Sequence, residues 1–264
     1  MSSSGSLRLL LPTALIAAVA IATASPAVAA PTFTFAPSAV GLSGGSVTAD
    51  NEILSNFSTI TLTPNGSGAA FTVNGALDIT SFTLNSSPVG ATGLNSSYAL
   101  YYLFSGSGTQ NSSTLQPGTL GTFSSLNYTL YAAPITGTLT FSNSNTQPTG
   151  IGTPISLATG SLLSGGVAGD TSGQPTASVT LSFNPTAGSS GFFSPQPFYD
   201  VIFAGFQNLP TQVSGSGTTI MITGGGGSAN FAAMPVPEPA GLGLLGAGLV
   251  GVAFARRRRS TSAA

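Results

Sequence analysis

The sequence predicts an all-β protein: a single antiparallel β-sandwich of jelly-roll-like type, flanked by an N-terminal signal peptide and a C-terminal hydrophobic helix. Three observations predict it. Between the two hydrophobic ends, apolar side chains recur with a period of two rather than 3.6. Turn residues such as Pro64-Asn65-Gly66, Asn74-Gly75, Pro117-Gly118, Asn184-Pro185 and Gly215 to Gly217 interrupt these runs at short intervals. No amphipathic segment of helical period lies between them. About ten to twelve short strands with frequent turns belong to a sandwich.

Taken in chain order, Arg8 precedes the apolar run Leu9 to Ala22, and the small residues Ala27, Ala29 and Ala30 follow. A basic start, an apolar core and an A-x-A site make a secretory signal peptide, cut after Ala29 or Ala30. The strands come next. Ile60 and Leu62 alternate with threonines, as do Phe71 and Val73 with their neighbours. Leu126, Tyr128 and Leu130 repeat the pattern, then Leu139 and Phe141, then Val179, Leu181 and Phe183, then Ile220 and Ile222. One face of each is set to be buried and the other wet. Tyr98 to Phe104 and Phe198 to Phe206 are apolar on both faces and suit central strands. Asn74-Gly75 is expected to form a two-residue hairpin. Gly224 to Gly227 is expected to open a flexible stretch. The expected division is therefore 1–30 signal peptide, 31–223 sandwich, 224–235 linker, 236–259 a C-terminal signal and 260–264 a short tail.

That C-terminal segment has three parts: Val236-Pro237-Glu238-Pro239, an uncharged run Ala240 to Ala255, and Arg256, Arg257, Arg258 and Arg259. A helix of that run would span roughly 24 Å against a hydrocarbon core of about 30 Å, and snorkelling arginines make up part of the difference. A basic cluster holds its flank in the cytoplasm, so the chain before Pro239 lies outside. The two prolines keep the motif extended and accessible. On these residues alone, a processed sorting signal and an uncut membrane anchor fit equally well.

The motif, the Gly/Ala/Leu-rich run and the arginines, in that order, resemble the PEP-CTERM domain of Gram-negative bacteria. The resemblance implies processing by exosortase, an integral-membrane cysteine transpeptidase. It implies transient anchoring through the C-terminal helix, then delivery to the cell surface or extracellular matrix. A second resemblance covers most of the mature chain. Gly93 to Tyr98 (GLNSSY), Phe123 to Pro134 (FSSLNYTLYAAP), Leu157 to Gly165 (LATGSLLSG) and Pro197-Phe198-Tyr199 fall in an order similar to flocculation-associated PEP-CTERM proteins. It implies a part in holding cells in an exopolysaccharide matrix.

Composition excludes much else. All five basic residues lie in the two terminal signals, so residues 30–235 carry no Lys, Arg or His. The chain has no Cys and no Trp. A Ser-His-Asp or Cys-His arrangement has no base. Zinc and transition metals lack imidazole and thiolate ligands. Nucleic acid finds no cation. No disulfide can form, so the core alone must hold the fold.

Five carboxylates remain before the C-terminal signal: Asp50, Glu52, Asp78, Asp170 and Asp200. Asp50 and Glu52 are weak candidates for calcium, with turn capping and surface solubility as the simpler reading. A carboxylate-dependent glycoside hydrolase is a remote alternative. Tyr98, Tyr101, Tyr102 and Tyr199 are candidates for stacking on sugars, so a secreted carbohydrate-binding module is the nearer alternative; core packing is the simpler role for them. The expectation is a non-enzymatic exported protein without cofactor, whose partners are exosortase and exopolysaccharide.

Overall fold

The computed structural model describes residues 31–90 and 93–233. The signal-peptide residues Ala27, Ala29 and Ala30, the motif Val236 to Pro239 and the arginines Arg256 to Arg259 lie outside the described residues.

Fifteen strands follow one another: β1 (Phe33–Phe35), β2 (Val47–Ala49), β3 (Asn51–Asn65), β4 (Gly68–Leu84), β5 (Ser87–Val89), β6 (Tyr98–Gln110), β7 (Leu120–Thr140), β8 (Thr149–Ile151), β9 (Ile155–Gly169), β10 (Pro175–Ser182), β11 (Asn184–Pro185), β12 (Phe193–Ser194), β13 (Val201–Gln207), β14 (Val213–Ser216) and β15 (Thr219–Ala232). Among the described residues the only helical pieces are three short 3-10 turns.

The antiparallel all-β fold stands as the sequence predicts, and its two facing layers are continuous. Eight strands pair in the order β9-β10-β13-β15-β3-β4-β6-β7, and β7 pairs again with β9. Every pairing in that ring is antiparallel. Neighbours in the ring are also successive long strands of the chain. The connectivity is therefore an up-and-down meander, simpler than the crossovers of a jelly roll. Closure leaves the ring without an open edge, which removes the usual route to edge-to-edge aggregation.

The period-two pattern explains which side is which. Along β3, Leu54, Asn56, Ser58, Ile60 and Leu62 turn inward, while Thr59, Thr61 and Thr63 alternate to the outside. Along β10, Val179 and Leu181 are buried and Ser178 and Thr180 lie between them on the other face. The result is an apolar interior under a coat of hydroxyl and amide groups. A barrel spanning a membrane shows the reverse, apolar outside and polar inside.

A three-stranded sheet, β12-β1-β2, lies over one end of the barrel. Its rings build the densest part of the core. Phe35 is fully buried and meets Phe33, Phe82, Phe192, Phe193, Phe198 and Phe231 with ring centroids 4.9 to 6.4 Å apart. Most of these pairs are edge-on or tilted, the arrangements that aromatic quadrupoles favour. A second, smaller core lies outside the ring, where Tyr101, Leu103 and Ala133 pack with Leu139, Phe141 and Ile151. The segment after β7 carries Phe141 to stack on Phe57, and Asn143 Nδ2 donates to Thr223 Oγ1 at 3.0 Å.

Several local expectations need correction. Asn74-Gly75 is no hairpin; it lies inside β4, and the β3–β4 turn falls at Gly66-Ser67 instead. Gly75 is there because a Cβ would come 2.9 Å from the Phe104 ring. The stretch from Gly224 is no flexible linker, since β15 runs through to Ala232 and pairs with both β13 and β3. Its glycines serve a bulge: the register with β3 shifts between Thr223 and Gly225, Gly224 has φ +74°, and a Cβ on Gly225 would collide with Asn208 Oδ1. The strands are longer than expected, up to 21 residues in β7. Tyr98 to Phe104 is covered on both faces, whereas Phe203 in β13 is 44% exposed.

Candidate functional site: the barrel interior

An eight-stranded barrel is just wide enough to be filled by its own side chains or to hold one small ligand. This one is filled by side chains at one end and leaves a cavity at the other. Next to the phenylalanine cluster the interior is crossed by Tyr102 and Tyr128, whose rings meet edge-on at 5.4 Å. Beyond that layer lies a cavity of about 100 Å³. Val73, Leu126, Val179, Ala204 and Ile222 wall it from five different strands, with Leu115, Gln110 and Asn208 at the far end. Side chains reach it because each strand turns alternate residues inward, and Tyr128 fits because Gly160 on β9 has no Cβ to collide with its ring.

The inner row of β3 is the exception in this apolar surface. Glu52, Asn56 and Ser58 are 0%, 6% and 1% exposed. Tyr102 donates its hydroxyl proton to Glu52 Oε2 at 2.7 Å, and Tyr128 donates to the Ser182 carbonyl at 2.8 Å. Glu52 Oε1, Asn56 Oδ1 and Ser58 Oγ have no hydrogen-bond partner within the protein. Asn56 and Ser58 line the cavity. Burial pushes the Glu52 carboxyl up to about 8, against the smaller opposing effect of the Tyr102 hydrogen bond. Its charge is penalised by the apolar surroundings, so it is mostly protonated at neutral pH. Burial pushes both tyrosines upward as well, and the Glu52 charge reinforces the shift.

The remaining candidates are placed separately. Asp50 accepts the Asn85 backbone N–H at 2.7 Å, and Asp170 Oδ1 accepts those of Ser172 and Gln174 at 2.7 and 2.8 Å. Both carboxylates thus hold turns. Asp50 is engaged at a turn and Glu52 is fully buried against Tyr102, so the two calcium candidates do not face one another in solvent; among the described residues no three metal-binding side chains gather. Asp78 is lifted by burial to about 6. Of the tyrosines weighed as sugar platforms, Tyr98, Tyr101 and Tyr102 are at most 3% exposed and offer no ring face to solvent. Tyr199 is half-buried, and its hydroxyl donates to the Thr32 carbonyl at 2.8 Å.

The polar row was within reach of the sequence. Ile60 and Leu62 fix the inward phase of their strand, and counting back by twos arrives at Ser58, Asn56, Leu54 and Glu52. What the sequence does not show is that the last long strand, β15, closes onto the first, β3, which turns that face into the wall of an interior space.

Among the described residues no helix is long and apolar enough to cross a membrane. No curated protein and no solved structure matches the chain. Residues 235–259 match the family model of the PEP-CTERM protein-sorting motif. The chain thus carries a PEP-CTERM protein-sorting motif over residues 235–259, a motif that implies export and processing by exosortase.

Proposed function

We propose that the barrel is a non-enzymatic surface or matrix component that contributes to exopolysaccharide-associated cell aggregation. The sorting motif at residues 235–259 carries this reading. The barrel's exterior supports it: strand after strand turns Ser, Thr and Asn outward, and residues 30–235 carry no cation. Such a surface hydrogen-bonds to a hydrated polysaccharide without the salt-sensitive attraction that basic patches give. The absence of His, Cys and Lys from the same span leaves little with which to build a nucleophile or base.

The route proposed is signal-peptide export, brief anchoring through Ala240 to Ala255, and cleavage near Pro237-Glu238-Pro239. Mass spectrometry of both ends of the protein from its own host tests the route. The expected product begins near Pro31 and lacks residues 240–264; a product that retains them is an uncut anchor and contradicts it. Deleting the gene tests the role: cells should aggregate less and shed more polysaccharide, and unchanged aggregation would refute it.

A further inference from the structure

We propose that the barrel interior is a binding site for one small, neutral, mostly apolar molecule that carries a single hydroxyl, a ring-sized phenol or alcohol. The inference is independent of the proposed role in aggregation and rests on the cavity and on Asn56 and Ser58, two neighbouring unpartnered side chains in its wall; a third, Asn208 Oδ1, lies at the far end.

Size comes first. The cavity measures about 100 Å³. An apolar cavity of about 150 Å³ accepts benzene, so a single ring or a short branched chain is the scale of ligand that fits with small side-chain adjustments. Walls of Val73, Leu126, Val179 and Ile222 favour carbon over water.

Charge comes second. No Lys, Arg or His exists between residues 30 and 235, so a carboxylate or phosphate would enter a dry space with no counter-charge. The ionisable groups in its wall, Tyr102 and Tyr128, are pushed upward by burial and stay neutral, and the buried Glu52 carboxyl bonded to Tyr102 is raised to about 8 by burial. A neutral ligand is required.

The polar row specifies the rest. Asn56 Oδ1 is an acceptor without a donor, and Ser58 Oγ is without a partner of either kind. They stand two residues apart on one strand and so face the same space. A hydroxyl satisfies both at once: its O–H donates to Asn56 Oδ1 and its oxygen accepts from Ser58 Oγ–H. A ketone or ester would leave Asn56 Oδ1 unpaired, and a hydrocarbon would leave both unpaired. Buried polar groups left in that state make a site reject the analogue that lacks the matching group.

Calorimetric titration of the native protein with phenol and with toluene, its methyl counterpart, tests the assignment. Phenol should bind saturably at one site, about tenfold or more tighter than toluene. Asn56→Leu and Ser58→Ala should each bring phenol towards toluene's affinity while toluene binding holds within about threefold. Far-UV circular dichroism confirms that each variant folds; should one fail, the wild-type comparison and the other variant decide. No saturable binding of either probe, equal affinity for both in the wild type, or a phenol preference that survives both substitutions would overturn the proposal.

Discussion

Where β10 stops and β13 begins, eight phenylalanines from six separate segments pack ring against ring: Phe33, Phe35, Phe82, Phe183, Phe192, Phe193, Phe198 and Phe231. At the other end of the same strands, aliphatic side chains and the rings of Phe71, Phe104, Phe123 and Phe206 surround about 100 Å³ of space. Both ends are apolar and enclosed by the same hydrogen-bonded ring, so neither strand pairing nor hydrophobicity distinguishes them. Ring-on-ring contact does. The eight phenylalanines pack on one another, whereas the wall side chains at the other end leave space between them. The phenylalanine end holds the fold by packing alone, since the chain has no cysteine to form a disulfide.

The largest expected effect breaks the packed end. Phe35→Ala should lower the unfolding free energy by about 3–5 kcal/mol, since six neighbouring rings cannot collapse into the gap. Phe71→Ala removes an equally buried ring that borders the cavity and should cost about half as much. Urea unfolding of the two variants side by side measures the difference; equal losses would mean that the two ends are packed alike.

A pH titration sharpens the comparison at the layer between them. Glu52 has its folded pKa raised from 4.5 to about 8 by burial. Its neutral form is the one the fold accepts, so the associated stability is full below about pH 4.5 and is lost as pH rises towards 8. Over that window the loss should amount to several kcal/mol. Glu52→Gln should flatten the curve and leave the variant more stable than wild type at pH 8. A residual slope between about pH 4 and 6 belongs to Asp78, raised from 3.8 to about 6 by the same cause. Chemical unfolding at pH 4.5, 6 and 8 checks the sign; a wild type whose stability does not fall across this range would contradict the burial of an ionisable Glu52.

The smallest effect is a filling experiment. Ala204→Val adds volume beside the cavity and should change stability by less than about 1 kcal/mol, whereas Ala49→Val in the phenylalanine cluster should cost about 1–3 kcal/mol. Thermal unfolding of both distinguishes them, and a large loss at Ala204 would show that the space is not usable.

Much of this was legible in the residues. Alternation at Ile60-Leu62, Leu126-Tyr128-Leu130 and Val179-Leu181 gave strand, face and phase correctly, because a half-buried strand imposes a period of two on its own sequence. Ring closure was not legible. The β15–β3 pairing joins the last long strand to the first, Ile220 to Ile60 and Ala229 to Glu52, contacts that depend on total twist and strand tilt rather than on any local word. Glycines misled for a related reason. Gly75 and Gly225 look like turn formers, yet they make room for Phe104 and Asn208 brought by other strands. The same gap hid the site: the phase of Ile60 and Leu62 puts Asn56 and Ser58 on the inward face, but that they line a cavity follows only once the wall opposite them is in place.

The contrast between a filled end and a hollow end is tested most directly by xenon. Crystals of the protein pressurised with xenon should show the atom inside the barrel, against Val73, Leu126, Val179 and Ile222, and none among Phe33, Phe35, Phe82 and Phe231. Xenon absent from the barrel interior, or lodged instead between the phenylalanine rings, would contradict the account.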